Sequence, residues 1–156
     1  MTTWRILASV AAVALVGVYA AGSGFWVSSS PGWYASLDKP SWQPPDIVFG
    51  LIWPYNFLAL AVVGVVVAQR GSGRAVGAWL IVAAVSVACA LAWAYLFYVP
   101  HHLTASALAL AGAAVLTAVL VALTWSVTPG GAVALLPYLV WVCLATSLAF
   151  GYARPA

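Results

Sequence analysis

The chain has 156 residues, of which 66% are hydrophobic and only 4% are charged, and its mean hydropathy is +1.10. Because a soluble domain carries roughly 25% charged residues, this composition excludes a water-soluble fold and predicts an integral membrane protein. The net charge of +3 comes from too few groups to indicate nucleic-acid binding.

Five apolar runs follow one another along the chain, each close to the roughly 20 residues that a helix needs to cross a bilayer. We predict an all-α integral membrane protein, a single domain over 1–156 with five transmembrane helices and a lid loop at 28–46. The predicted helices cover about 6–27, 47–68, 76–99, 103–125 and 132–152. The first run loosely resembles a secretory signal, but its length and its Phe25-Trp26 end favour a retained helix.

The few cations predict the orientation of the bundle. With five crossings, Arg5, Arg70 and Arg74 lie on one side of the membrane, whereas Lys39 and Arg154 lie on the other. The positive-inside rule then places the N-terminus in the cytoplasm. The lid loop is therefore predicted on the opposite face of the membrane.

The lid loop differs from the rest of the chain because it is polar, aromatic and rich in proline. Pro40, Pro44 and Pro45 each fix a backbone angle and restrict the residue before them, so the loop should be stiff. A stiff loop with an aromatic surface is suited to cover an apolar cavity. Asp46 follows at the start of the second helix, where an acid favours the helix N-terminus, and we interpret it as a cap rather than a catalytic group.

The sequence lacks the usual residues of ion transport and metal chemistry. No charged residue lies well inside any of the five runs, which disfavours proton pumps, ion-coupled carriers and voltage sensors. Cys89 and Cys143 have no Cys or His at ligand spacing, so we interpret them as small buried hydrophobes. His101 and His102 are candidate ligands for a porphyrin iron, although an interfacial turn is the simpler interpretation.

Aromatic residues recur at helical spacing in three of the runs. The stripes are Phe49, Trp53, Phe57 and Leu60 on the second helix, Ser86, Ala90, Trp93 and Phe97 on the third, and Tyr138, Trp141, Ala145 and Leu148 on the fifth. Interfacial belts explain tryptophans at helix ends, but Trp53 and Trp141 lie several residues inside their runs. These indoles either fill the bundle core or line a pocket for a flat aromatic ligand, and composition leaves both interpretations open.

The lid loop resembles the first-loop signature of the tryptophan-rich sensory protein family (TspO/MBR), which includes the translocator protein or peripheral benzodiazepine receptor. The matching residues are Trp33-Tyr34-x-x-Leu37-x-Lys39-Pro40-x-Trp42-x-Pro44-Pro45, then Val48-Phe49-Gly50 and Trp53. The fifth helix is similar to the family's signature at Pro137-Tyr138-Leu139-x-Trp141 and Ala145-Thr146-x-Leu148. The resemblance implies that the protein is a bacterial-type member of the family and lies in a bacterial cell membrane. Because members of the family are usually homodimers, it also implies a homodimer.

The same resemblance implies a pocket under the lid loop for porphyrins and other flat hydrophobic ligands. Trp53 and Trp141 match two pocket tryptophans, which in some bacterial relatives are tied to light-dependent breakdown of protoporphyrin IX. Polar groups common in the family are replaced here by Ala90, Ala149 and Phe57. The polar ligand contacts of relatives are therefore not expected in this chain, although Asn56 is a candidate to replace one of them.

We therefore predict a membrane receptor or carrier for tetrapyrroles such as porphyrin and haem, with no required cofactor and no metal. The candidate ligand-binding residues are Trp33, Lys39, Trp42, Phe49, Trp53, Phe57, Ala90, Trp93, Phe97, Tyr138, Trp141, Ala145 and Leu148. Among them Lys39 is expected to meet a porphyrin carboxylate, and Trp33 and Trp42 are expected to pack over the pocket mouth with Leu37.

The sequence leaves two further functions open. One is enzymatic, the light-dependent degradation of protoporphyrin IX with Trp53 and Trp141 as the catalytic residues. The other is a regulatory membrane scaffold that responds to its ligand. For the predicted homodimer, Ala84 and Ala88 on the third helix form a strip of small residues that lets two helices approach closely.

Overall fold

Helices make up most of the described chain, which covers residues 2–154 in a computed structural model. They are α1 (Thr3–Val27), α2 (Pro31–Ala35), α3 (Asp46–Arg70), α4 (Gly73–Tyr98), α5 (Leu103–Trp125) and α6 (Pro129–Tyr152). All except α2 are long and apolar enough to cross a membrane. In lipid a helix satisfies its own backbone hydrogen bonds, which explains why each apolar run is helical. The prediction of an all-α protein with five spans is confirmed.

Polar residues set the first turns of two of the spans. The side chain of Ser72 accepts a hydrogen bond from the backbone N–H of Ala75 at the start of α4. The side chain of Thr128 accepts one from Gly131 at the start of α6. Both are N-terminal caps, which lengthen these helices beyond their apolar runs.

The short helix α2 lies inside the lid loop and was not anticipated from the sequence. It begins at Pro31, whose fixed φ suits the first position of a helix. It ends at Ala35, and the chain then passes through the proline-containing segment to α3. Helix α2 therefore holds Trp33 and Tyr34 in a defined position above the bundle.

The five long helices form a closed ring in the order α1, α4, α5, α6 and α3, with α3 returning to α1. Close packing between α1 and α3 depends on small residues. A Cβ added at Gly64 would lie 2.8 Å from Cβ of Ala12 and 3.0 Å from the indole of Trp79. Small residues at such contacts allow membrane helices to approach closely.

At the end of the bundle away from the lid loop, Arg5 joins α1 to α3. Its guanidinium donates to the backbone carbonyls of Ala68, at 3.0 Å, and of Gln69. The side chain of Gln69 donates in return to the carbonyl of Arg5, at 3.3 Å, and to Ser9 Oγ, at 2.8 Å. A cation at a helix C-terminus satisfies the free carbonyls there, so this contact fixes α1 and α3 at one end.

Candidate ligand-binding cavity

A cavity of about 460 Å³ lies beneath the lid loop. Four of the spans enclose it, α1, α3, α4 and α6, whereas α5 contributes no lining residue. The volume falls within the roughly 300–1,000 Å³ of small-molecule sites. Its lining residues are Ala20, Ser23, Gly24, Val27, Pro31, Tyr34, Gln43, Asp46, Phe49, Trp53, Phe57, Trp93, Phe97, Tyr98, Trp141, Ala145, Leu148, Ala149 and Tyr152.

The first of two aromatic groups around the cavity is the α3–α6 cluster, which consists of Tyr19, Phe49, Trp53, Phe57 and Trp141. The indoles of Trp53 and Trp141 meet edge to face with centroids 6.3 Å apart at 88°. Phe49 contacts Trp141 at 4.9 Å, and Phe57 stacks on Trp53 at 5.6 Å. Edge-to-face and offset geometries are the favoured ones for aromatic rings, so these side chains pack against one another without any ligand.

The second group is the lid cluster, whose rings belong to α2, α4 and α6. It consists of Trp33, Tyr34, Trp93, Phe97, Tyr98 and Tyr152. Phe97 lies at its centre, with ring centroids 4.9 Å from Tyr98, 5.4 Å from Trp33 and 5.6 Å from Tyr152. Among the rings of residues 2–154, no contact joins this cluster to the α3–α6 cluster. Both clusters contribute rings to the cavity lining, which therefore contains two separate aromatic groups.

One anchor of the lid loop is the stack of Trp33 on His101. The ring centroids are 3.7 Å apart and the planes differ by 16°. His101 has a φ of 58°, a left-handed conformation that is uncommon outside glycine, in the turn between α4 and α5. The next residue, His102, donates its backbone N–H to the carbonyl of Leu96 at 2.8 Å and so closes this turn. Helix α2 is thereby fixed to the end of α4.

The second anchor lies on the outer side of α6. A Cβ added at Gly151 would lie 2.8 Å from Cγ of Pro40 and 3.0 Å from the indole of Trp42. The indole N–H of Trp42 also donates to Ser147 Oγ at 3.2 Å. Ser147 is exposed and does not line the cavity, so Trp42 binds the loop to the outside of the bundle.

The polar lining of the cavity is concentrated below the lid loop. Gln43 Nε2 donates to the hydroxyl of Tyr34 at 3.2 Å, and the hydroxyl of Tyr152 donates to Gln43 Oε1. Asp46 lies nearby in the lining and forms an ion pair of 3.7 Å with Lys39. Both members of this pair are substantially exposed, so it contributes little to stability. The rest of the lining is aromatic and aliphatic apart from Ser23.

The structure brings eight of the thirteen predicted ligand-binding residues into the lining. These are Phe49, Trp53, Phe57, Trp93, Phe97, Trp141, Ala145 and Leu148. The predicted catalytic pair, Trp53 and Trp141, is in direct ring contact. The three aromatic stripes therefore converge on one cavity.

The other five predicted residues lie outside the lining. Ala90 and Tyr138 each lie about one helical turn deeper than the nearest lining residue of their helix, Trp93 and Trp141 respectively. Tyr138 forms a buried hydroxyl contact of 3.3 Å with Tyr19 instead. The remaining three belong to the lid loop, where Trp33 stacks on His101, Trp42 packs outside α6 and Lys39 pairs with Asp46.

Several lining residues were not among the sequence-based candidates. Tyr34, although part of the first-loop motif, was not assigned a role, and Tyr98 directly follows Phe97. Gln43 and Tyr152 are close only in the folded chain, 109 positions apart. Helix α1 contributes small residues such as Gly24, which have no aromatic pattern to reveal them.

Neither metal nor disulfide chemistry is indicated within residues 2–154. No group of three or more His, Cys, Asp or Glu side chains lies close enough there to hold a metal ion. Both cysteines are free, and neither is fully buried as expected, since Cys89 is half-buried and Cys143 is exposed on α6. His101 and His102 are absent from the cavity lining, so they do not face a ligand held there.

Fold and site together define a five-span integral membrane protein with an aromatic cavity under its first loop. The sequence profile of the TspO/MBR family matches residues 8–154. Protein CrtK of Rhodobacter capsulatus is 31% identical over 92% of this chain and 90% of its own length. The human translocator protein is 32% identical over 81% and 76%. The tryptophan-rich sensory protein of Cereibacter sphaeroides is 32% identical over 76% and 73%. The chain belongs to the TspO/MBR family.

Proposed function

We propose that the protein is a membrane receptor or carrier that holds a tetrapyrrole, such as a porphyrin or haem, between its two aromatic clusters. The observation that supports this most directly is the cavity of about 460 Å³ that is lined by rings of both clusters. A flat aromatic ligand between such surfaces gains both apolar burial and ring contacts. No metal or catalytic side chain is needed for this role.

The charges at the mouth agree with a ligand whose acidic groups stay outside the apolar cavity. Lys39 does not line the cavity, but it lies at its edge in an exposed pair with Asp46. Exposed pairs exchange partners at little cost. A porphyrin carboxylate at the mouth would therefore compete with Asp46 for Lys39 while the macrocycle lies between the rings.

The test is a titration of purified protein with protoporphyrin IX, followed by the absorbance of the porphyrin. Saturable binding is expected, because the wall formed by Trp53 and Trp141 is already in place. Replacing both residues with Ala should weaken binding at least about tenfold, since each indole removes roughly 150–250 Å² of surface from water when buried.

The matched control is Trp125→Ala, which removes an indole from the exposed end of α5, a helix that does not line the cavity. This variant should bind the porphyrin as the unmodified protein does. Equal affinity in the Trp53→Ala, Trp141→Ala variant and the control would rule out the cavity as the porphyrin site.

A second candidate function is the light-dependent degradation of bound protoporphyrin IX. The contact between Trp53 and Trp141 supports it, because both indoles line the cavity and electrons transfer readily over 6.3 Å between rings. Dissolved dioxygen would be the oxidant. Illumination should then bleach the bound porphyrin faster than in a Trp53→Phe, Trp141→Phe variant, and only when oxygen is present. If the unmodified protein and the variant bleach the porphyrin at the same rate, the enzymatic function is excluded. The protein would then be a binding protein or a ligand-responsive scaffold.

We further propose that two copies associate through α4. Ala84 and Ala88 are both exposed on this helix and lie one turn apart. Pairs of small residues at this spacing allow two membrane helices to pack closely.

A further inference from the structure

The contact between Trp33 and His101 joins the lid loop to the bundle through a side chain that changes charge near neutral pH. The ring centroids are 3.7 Å apart and the ring planes differ by 16°, so one face of the imidazole lies on the indole. Imidazole side chains take up a proton at about pH 6.5, so their charge changes between about pH 5 and pH 8. The strength of this contact can therefore depend on pH.

The backbone of His101 indicates that the turn between α4 and α5 requires this side chain. Its φ of 58° is the only positive φ within residues 2–154, and none of the glycines there has one. Glycine adopts the left-handed conformation without steric cost, whereas other residues adopt it at a cost in free energy. A histidine here is less favourable for the backbone than glycine, and what it adds is the imidazole stacked on Trp33.

The other rings near this pair carry no charge at these pH values. Phe97 and Tyr98 contact the indole of Trp33 from α4, with ring centroids 5.4 Å and 6.5 Å away. Tyr34 follows Trp33 on α2 and is the titratable side chain of that helix. Phenols ionise only at about pH 10. These contacts are therefore the same in acid and in neutral solution.

The charged groups of the chain leave the indole as the main partner of His101. The two acidic side chains, Asp38 and Asp46, form no ion pair with His101, and Asp46 is paired with Lys39 at 3.7 Å. His101 is itself exposed, so the edge of its ring keeps water while its face contacts the indole. The neighbouring His102 is a second exposed imidazole, and a test has to separate its effect from that of His101.

Protonation changes the stacked contact in one direction. The face of an indole carries partial negative charge, and it attracts a cation more strongly than a neutral ring. The protonated imidazole of His101 therefore binds Trp33 more tightly than the neutral imidazole does. This added attraction is present in acid solution, where the imidazole is charged, and it is lost as the pH rises and the proton leaves.

We propose that Trp33 and His101 form a pH-sensitive latch that holds the lid loop more tightly on the bundle in acid solution. The other anchor of the loop, where Pro40 and Trp42 pack on Gly151, contains no titratable group and does not change with pH. The latch goes beyond the proposed function, because it regulates access to the cavity whatever ligand the cavity binds. Release of that ligand should be slower at acid pH.

The test measures the lid loop directly, by hydrogen exchange and mass spectrometry of the ligand-free protein in lipid nanodiscs. The reporters are the backbone N–H groups of Tyr34 and Ser36, which donate to the carbonyls of Ser30 and Trp33. Each measured rate is divided by the rate of an unstructured peptide at the same pH. Protection of α2 should be about twofold to fivefold higher at about pH 5.5 than at about pH 8, as expected for an exposed cation over an indole.

Three variants identify the groups responsible. His101→Asn keeps a residue that tolerates the left-handed conformation and removes the imidazole, so protection of α2 should not depend on pH. Trp33→Leu removes the indole and keeps both histidines, and it should abolish the dependence as well. The matched control is His102→Asn, which should show the same rise in acid as the unmodified protein. Exchange of α5, which does not contact the lid loop through a ring, is the internal reference for folding.

The outcomes are separate from those of the porphyrin titration, because no ligand is present. A rise in acid that is kept in His102→Asn and lost in both His101→Asn and Trp33→Leu supports the latch. Equal protection of α2 at the two pH values in the unmodified protein would overturn it. A rise that persists in His101→Asn would also overturn it, since another group would then be responsible.

Discussion

At the scale of single residues, Asn56 is the side chain most at odds with its surroundings. It is fully buried in α3, and neither its amide oxygen nor its amide nitrogen has a hydrogen-bond partner among the described residues. It does not line the cavity, so it does not replace the polar contacts that relatives are expected to make there. A buried polar group without a partner costs free energy.

We therefore expect Asn56→Leu to stabilise the protein by about 1–3 kcal/mol, because it replaces an unsatisfied amide with an apolar group of similar size. Thermal unfolding in detergent measures the effect. Asn56→Asp is the contrasting variant and should lower the midpoint, since a carboxylate is costlier to bury than an amide. A lower midpoint for Asn56→Leu would contradict this expectation.

The residues that the sequence did predict share one property, which is their position on a helical stripe. Trp53, Trp93 and Trp141 each fall on such a stripe and line the cavity. Spacing gives the face of a helix but not the depth at which a cavity ends. That is why Ala90 and Tyr138, on the same stripes but one turn deeper, lie behind the cavity.

At the scale of elements, the lid loop is held by contacts at two separate places. Trp33 stacks on His101 near the end of α4, and Pro40 and Trp42 pack on Gly151 at the end of α6. The sequence indicated a stiff loop, because Pro40, Pro44 and Pro45 lie in it. It did not indicate α2 or the outer position of Trp42, since both depend on contacts with residues far away in the chain.

Gly151→Ala should displace the lid loop. The added methyl group would lie 2.8 Å from Pro40 and 3.0 Å from Trp42, closer than such atoms normally approach. The ring of Pro40 has no other rotamer that would relieve this contact, so the loop must move. We expect bound porphyrin to dissociate severalfold faster, measured by stopped-flow displacement.

The control for this variant is Gly77→Ala, because a Cβ at Gly77 meets nothing within 4 Å. It lies near the opposite end of the bundle, in the first turns of α4. Its dissociation rate should equal that of the unmodified protein. If Gly151→Ala behaves in the same way, the contact between Pro40 and α6 does not control ligand release.

The hydrogen-bonded group of Tyr34, Gln43 and Tyr152 shows why part of the cavity lining escapes sequence analysis. Its members are separated by 9, 109 and 118 positions and come from three different elements. Tyr34 and Gln43 belong to no helical stripe, whereas Tyr152 lies four residues after Leu148 and would have been found by extending the fifth-helix stripe by one turn. Only the closure of the lid loop onto α6 brings their polar atoms together.

At the scale of the whole molecule, the ring of helices leaves the outer face of α4 free for a second copy. Ala88→Phe would place a large side chain on that face, where Ala84 lies one turn away. If two copies associate through α4, as proposed, this variant should have the mass of a monomer, because a bulky residue prevents close approach of two helices. Light scattering in detergent, corrected for the micelle, gives the mass.

Ala118→Phe is the matched control for the dimer, since Ala118 is exposed on the neighbouring helix α5. It adds the same side chain to a different outer face. If two copies associate through α4, Ala118→Phe should keep the mass of the unmodified protein, whereas Ala88→Phe should not. The same mass in both variants would place the interface elsewhere.

The distribution of charge also determines how the protein responds to membrane voltage. Its five basic and two acidic side chains lie in loops or within three residues of a helix end. An electric field does work only on charge that moves through it, about 2.3 kcal/mol per elementary charge for each 100 mV. Opening of the lid loop moves none of these charges across the hydrocarbon core. The rate at which a neutral ligand is released from vesicles should therefore not change with the imposed membrane potential. For a charged ligand, any voltage dependence of this rate should come from the charge of the ligand itself.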